Sequence, residues 1–257
     1  MKTRNHRFRR SALQIMAAGL AALVTGCTGE VTPDVVAGVD GCGECGMVID
    51  RVNESCGWID DGEFEPFCSP GCLLSKYDDS RAAGVEIPSS IFFADYQGSG
   101  FSPAAITAFL LTDHVPTVMN SRVITFSSIA AAETMQRHDD ETTADWTGYR
   151  VLRGRPDRVV ETVFSAAGME PESVTVAKDD IVLWRVTGDG LGEDLTFQIR
   201  GYPEVAPATV SAGGGTTELR FLATRPGAGF PIESSDGDGP LGMLKVTGAH
   251  TADEAAR

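Results

Sequence analysis

Five of the six cysteines, Cys42, Cys45, Cys56, Cys68 and Cys72, fall within about thirty residues, and none occurs later in the chain. A disulfide framework usually spreads its cysteines so that bridges staple distant loops, whereas thiols this crowded suit a soft-metal site or a redox centre. The cluster opens as Cys42-Gly43-Glu44-Cys45-Gly46-Met47 and closes as Phe67-Cys68-Ser69-Pro70-Gly71-Cys72. Two thiols separated by two residues bind one ion or close as a disulfide. The neighbouring thioether of Met47 is a poor zinc ligand and a good one for Cu(I). The soft-donor set is therefore Cys42, Cys45, Met47, Cys68 and Cys72. Structural bridges Cys42–Cys45 and Cys68–Cys72 are the bland alternatives, the second needing distortion because an i,i+4 pair in a helix is badly placed to bridge. Cys56, odd in number and beside Trp58, is expected to be a packed thiol.

The sixth cysteine has a separate explanation. Lys2, Arg4, Arg7, Arg9 and Arg10 precede an apolar run, Ala12 to Val24, that is too short to span a bilayer comfortably. The run ends Val24-Thr25-Gly26-Cys27, which resembles the lipobox of bacterial lipoproteins. That resemblance implies a signal peptide over residues 1–26, acylation of Cys27, and an extracytoplasmic protein held to a bacterial membrane by lipid. An ordinary signal peptide is the alternative. Arg9-Arg10 leaves Tat export open beside Sec. Residues 27–41 are small, polar and contain Gly, Pro and Asp, the composition of a tether.

The formal charge is −15, and removing the five leader positives takes it to about −20. A phosphate backbone needs a basic face, so nucleic acid is excluded as a partner. Past the tether the chain divides at Arg153-Gly154-Arg155-Pro156-Asp157, with every cysteine before it. In the first half, Asp61-Gly62 between two apolar runs predicts a hairpin. Ser69 with Pro70 predicts a capped helix through Leu73, Leu74 and Tyr77, ending before Asp78-Asp79-Ser80. Gly46 to Ile49, Ile91 to Ala94 and Val123 to Phe126 read as strands, Ser127 or Ser128 as a helix start, and Ala104 to Leu111 as helix or strand. This half is α+β. Cys68 and Cys72 bracket a helix start, whose unpaired amides are expected to stabilise thiolate there and lower the thiol pKa.

From Val159 onward apolar residues alternate with a period of two, as in Val174/Val176, Val182/Trp184/Val186, Leu195/Phe197/Ile199, Leu219/Phe221 and Leu244/Val246. Gly, Asp and Pro clusters separate the runs, the pattern of a β-sandwich.

The stretches CGECGMVID, GEFEPFCSPGCLLSKY, SIFFADYQGSGFSPAAITAFLLTD and VPTVMNSRVITFSSIAAAETMQR occur in the order seen in the NosL family, the accessory copper lipoproteins of nitrous oxide reductase assembly. The resemblance covers residues 42–152. It implies a Cu(I)-binding domain with a fold similar to the organomercurial lyase core, a downstream methionine ligand at Met119, and as partner a copper-enzyme client or its assembly transporter. Val115-Pro116-Thr117-Val118 departs from that family's glycine-flanked form, and the spacing Cys45-x22-Cys68-x3-Cys72 resembles the TRASH heavy-metal motif instead. An all-cysteine ligand set, and with it zinc, stays open. The methionines have a bland reading as core filler, and His114 and His138 as surface residues, His114 being a spare ligand.

The phrases MEPESVTVAKDDIVLWRVTGDG, LTFQIRGY and GPLGMLKVTG resemble the cupredoxin fold. A blue-copper site needs two His and a Cys. Residues 156–257 hold no cysteine and one histidine, His250, while Leu195 stands where the first histidine belongs. Met169 and Met243 cannot make a site alone. The expected architecture is thus an α+β, NosL-like metal-binding domain over 42–155, then an all-β cupredoxin-like sandwich over 156–250 without copper ligands, and a tail over 251–257. The expected role is Cu(I) carriage with no catalysis. The rivals are a thiol–disulfide oxidoreductase using Cys42/Cys45 and a structural Zn(Cys)4 module.

Overall fold

The computed structural model describes residues 31–98, 100–235 and 239–249. The leader, Cys27, His250 and the tail lie outside the described residues, as do Asp236 to Asp238. No helix among the described residues is long and apolar enough to cross a membrane. The chain is mostly β, with several sheets and three α-helices.

The first half begins with the hairpin β1 (Cys56–Asp60) and β2 (Glu63–Phe67). Asp61 and Gly62 both have positive φ, 47° and 81°, the two-residue turn whose twist matches the strands it joins. Helix α1 (Pro70–Ala83) follows at once. Ser69 caps it by accepting the Cys72 N–H, Pro70 fills the first position, and Gly84 at φ 68° ends it. The helix therefore runs past Asp78-Asp79-Ser80, which the sequence reading placed beyond its end. Two of these acids have long-range partners: Asp78 accepts the Arg155 N–H at 2.6 Å and Asp79 pairs with the Arg155 guanidinium at 2.8 Å.

Next come β3 (Ile91–Ala94), β4 (Phe101–Pro103) and β5 (Ala108–Leu111), so the ambiguous stretch resolves into a turn and a strand. After β6 (Val123–Phe126), Ser128 caps α2 (Ile129–Met135), and β7 (Thr142–Ala144) and α3 (Trp146–Arg153) complete the half. Its sheets have the orders β2-β1-β3-β4 and β6-β5-β7. Phe93, Phe109, Trp146 and Tyr149 pack ring to ring between them, Phe109 stacking on Tyr149 at 4.8 Å.

The second half contains β8 (Arg158–Ser165), β9 (Gly168–Glu170), β10 (Ser173–Ala177), β11 (Ile181–Gly188), β12 (Leu195–Ile199), β13 (Ala208–Val210), β14 (Thr216–Leu222), β15 (Gly227–Ser234) and β16 (Pro240–Thr247). They form sheets β14-β11-β8-β9 and β10-β16-β15-β12-β13, with β8–β11 and β10–β16 paired in parallel. One core lies between the two sheets, built from Phe164, Val174, Val176, Val182, Trp184, Val186, Phe197, Leu219, Phe221, Leu244 and Val246. The period-two positions therefore face inward. The one buried indole N–H there, on Trp184, donates to the Thr162 hydroxyl at 2.9 Å. The halves are clasped by Arg220 of β14, whose guanidinium donates to the Val151 carbonyl at 2.8 Å and to the Gly154 carbonyl.

Candidate metal centre

The first thiol pair sits on a loop that folds back on itself. Cys42 N–H donates to Met47 O at 2.8 Å, Gly46 N–H to Cys42 O at 2.9 Å, and Ile49 N–H to Asp40 O at 2.8 Å. The reversal requires Gly46 at φ +72°, a left-handed conformation that costs glycine little. Gly46 to Ile49 is therefore not the strand expected; only Val48 makes an isolated bridge, to Gly41.

Two contacts carry this loop to the second pair. Gly43 N–H donates to Pro66 O at 2.9 Å, which lays the loop beside the end of β2. Across the other side, Ser75 of α1 donates to the Glu44 carboxylate at 2.8 Å. A Cβ at position 43 would displace the Glu65 carboxylate that accepts the Trp58 indole N–H at 2.6 Å. Cys68 stands between β2 and the cap residue Ser69, and Cys72 lies in the first turn of α1.

The outcome is one cluster. The sulfurs of Cys42, Cys45, Cys68 and Cys72 all lie within 4.8 Å of one another, Cys45–Cys68 at 3.7 Å and Cys68–Cys72 at 3.6 Å. These are free thiols, well beyond the disulfide bond length of about 2.05 Å. Four sulfurs bound tetrahedrally at about 2.3 Å stand roughly 3.8 Å apart, so the donor set fits a single thiophilic ion. Cys42, Cys68 and Cys72 are buried, while Cys45 is exposed.

Electrostatics distinguishes the four. Burial pushes the Cys42 thiol up, but N–H groups of Cys45, Cys68 and Glu44 face its sulfur and hold it below its ordinary value. Burial and the neighbouring Cys72 thiol push Cys68 far up, and burial lifts Cys72 to about 11 against hydrogen bonds from Ser69 and Cys68, so the lowering expected at this helix start is outweighed by burial. Crowded thiols resist ionising together, and a bound cation reverses that order by deprotonating its ligands.

Cys45 and Cys72 open onto a cleft of about 300 Å³, also lined by Glu44, Ser75, Met119 and Ser121. Met119 lies in a strained stretch: it, Asn120 and Arg122 have φ of 55°, 51° and 54°, conformations that non-glycine residues rarely adopt. Buried Glu54 anchors that stretch by accepting the Val118 N–H at 2.6 Å while paired with Arg51 at 2.7 Å. Sequence reasoning missed Glu44, Glu54 and Ser75, because nothing local in the sequence marks a contact made 31 or 64 residues away. Neither methionine is core filler, Met47 being 50% and Met119 53% exposed. Met119 lines the cleft; Met47 is not among its lining residues.

The remaining candidates fall elsewhere. Cys56 is wholly buried, its sulfur 4.0 Å from Phe67 O and outside the four-sulfur group, and burial pushes its thiol well up. His114 stacks on His138 at 3.6 Å and contacts Asp140 at 3.0 Å on the surface. In the sandwich Leu195 is half-buried and pairs with Val210, and Met169 is buried in the core. Among the described residues of that half there is neither cysteine nor histidine.

No protein-family model matches the chain, and no curated protein matches it. The fold is distantly similar to solved cupredoxins. Auracyanin B matches with a TM-score of 0.31 and 15% identity, over 38% of this chain and 94% of auracyanin. A purple cupredoxin from Nitrosopumilus maritimus gives 0.27 and 11%, over 34% of this chain and 99% of its own. A multicopper oxidase gives 0.29 and 10%, over 63% and 84%. Similarity at this level carries no argument about function, so the functional reading rests on the four-cysteine cluster, which could hold a metal ion.

Proposed function

We propose that the chain is a lipid-anchored, extracytoplasmic accessory protein that carries Cu(I) to a copper-enzyme client or its assembly transporter, in the manner of the NosL proteins it resembles. The observation that supports this best is the four-thiol cluster opening through exposed Cys45 onto a cleft with the Met119 thioether on its wall. A carrier needs a site tight enough to hold a soft ion and open enough for an incoming thiolate or thioether to take it. Thiolate and thioether donors prefer the soft monovalent ion. The metal is cargo, and the proposed role includes no catalytic step. The sandwich, with no cupredoxin ligands, is the docking or structural module.

A structural Zn(Cys)4 site is the second reading, favoured by sulfur spacings close to those of a closed tetrahedron. Competition of the anaerobically reduced protein against cuprous and zinc chelators separates the two. One Cu(I) held far more tightly than Zn(II), and lost to chelator more readily in Met119→Ala, supports the carrier. Zinc held as well or better, with Met119→Ala inert, makes the site structural. The address is tested separately: Cys27→Ser should leave the membrane fraction or stay uncleaved, and a variant still lipid-modified and membrane-bound removes the lipoprotein assignment.

A further inference from the structure

The four-sulfur cluster is built to close as well as to bind. We propose that the metal-free site is a thiol–disulfide switch in which Cys45 receives a small disulfide oxidant and passes the bond to Cys68, giving a Cys45–Cys68 bridge that disables the site. The inference deepens the metal-carrier reading and rests on it for its consequence, though not for its chemistry.

Three observations select this pair. Cys45 is the one thiol of the four exposed to solvent, so an external disulfide meets it first. Its sulfur already stands 3.7 Å from that of Cys68. It rides on the loop closed by the Cys42–Met47 bond, outside both the hairpin and α1. The competing pair is less free: Cys68 and Cys72 straddle the Ser69 cap, and pulling their sulfurs together from 3.6 Å works against the Cys72 N–H bond to Ser69 at 3.2 Å.

The exchange balances without a further reagent. The Cys45 thiolate attacks one sulfur of the oxidant, forming a mixed disulfide and expelling one small thiolate. Cys68, giving up its proton, attacks the Cys45 sulfur and expels the second. Two protein thiols are oxidised and one small disulfide is reduced to two thiols. A metal ion on the same sulfurs removes the nucleophile, so metal and bridge exclude each other. In an oxidising compartment, an unloaded carrier would thereby be kept from scavenging the wrong ion.

The test treats the metal-free, reduced protein with oxidised glutathione under anaerobic conditions, then alkylates and maps the remaining thiols by mass spectrometry. The expected product has lost two thiols, joins the Cys45 and Cys68 peptides, and leaves Cys42, Cys56 and Cys72 alkylatable once unfolded. With Zn(II) as probe at about a hundred times its Kd, bridging should slow about a hundredfold, the factor by which the free form is depleted. Cys42→Ser should still bridge, and Cys45→Ser should not. A persistent glutathione adduct on Cys45, a bridge between other cysteines, or no reaction overturns the switch while leaving metal binding intact. If the bridge forms but Zn(II) and Cu(I) neither bind nor protect, the switch chemistry stands and the carrier reading falls.

Discussion

The two halves of this chain bury their cores on different terms. In the sandwich, alternating strands turn Val, Phe and Trp inward, and the buried indole is answered by a threonine hydroxyl. The first half places Cys42, Cys68 and Cys72 in the same apolar cluster as Phe67, Leu73 and Phe109. Around that cluster it keeps charged Glu54 buried and a stretch of left-handed backbone at 119–122. Most inward positions of the sandwich are apolar and are accounted for by area removed from water. The first half sets three buried thiols among its apolar side chains, and their sulfurs face one another and exposed Cys45. Such a cluster of sulfurs could hold a metal ion.

That contrast can be broken most severely at Cys68, the sulfur closest to two others. Cys68→Ala should weaken metal binding by more than about a hundredfold, given that outer-shell partners alone carry about 10–100-fold. Denaturation of the sandwich should be unchanged; chelator competition and urea titration on one sample check both. The converse is Trp184→Ala, which hollows the sandwich core and should cost about 3–5 kcal/mol. Metal stoichiometry should stay the same, and a loss of metal would show that the halves share one site.

Arg220→Ala tests the seam. Two hydrogen bonds from a partly buried cation to the Val151 and Gly154 carbonyls are lost, at about 2 kcal/mol. The sharper readout is a wider separation between the thermal transitions of the two halves.

A smaller effect is expected at Glu141. Burial raises its carboxyl, but bonds from Thr112 and from the Arg137 and His138 N–H groups outweigh this and hold it at about 2, below the ordinary 4.5. A carboxyl depressed on folding contributes stability above its unfolded value, and that contribution is lost as pH falls from about 4.5 toward 2. Glu141→Gln should flatten the first half's acid denaturation across that window while leaving the sandwich's profile as it is.

Much of this was readable from sequence because the signals are local. Asp61-Gly62, Ser69-Pro70 and Ser128 fix a turn and two helix starts within a few residues, and the alternation of Val182, Trp184 and Val186 states which face is inside. The two thiol pairs were legible as chemistry. Their meeting was not, since it depends on Gly43 reaching the Pro66 carbonyl and Glu44 reaching Ser75. Met47-Val48-Ile49 has strand composition, yet the left-handed Gly46 and the Cys42–Met47 bond turn it into a loop. The end of α1 was misplaced because Asp78 and Asp79 look like a solvated terminus until Arg155, 77 and 76 residues on, arrives to meet them.

The Arg220 clasp also sets an order in time. The carbonyls of Val151 and Gly154 leave any machine that makes or moves the chain long before the guanidinium that satisfies them, which follows 69 and 66 residues behind. The thiol-bearing half must therefore pass an interval with the end of its last helix lacking that clasp, its sulfurs already synthesised and its partner half still to come. A partner that engaged those sulfurs during that interval would meet a molecule without the clasp.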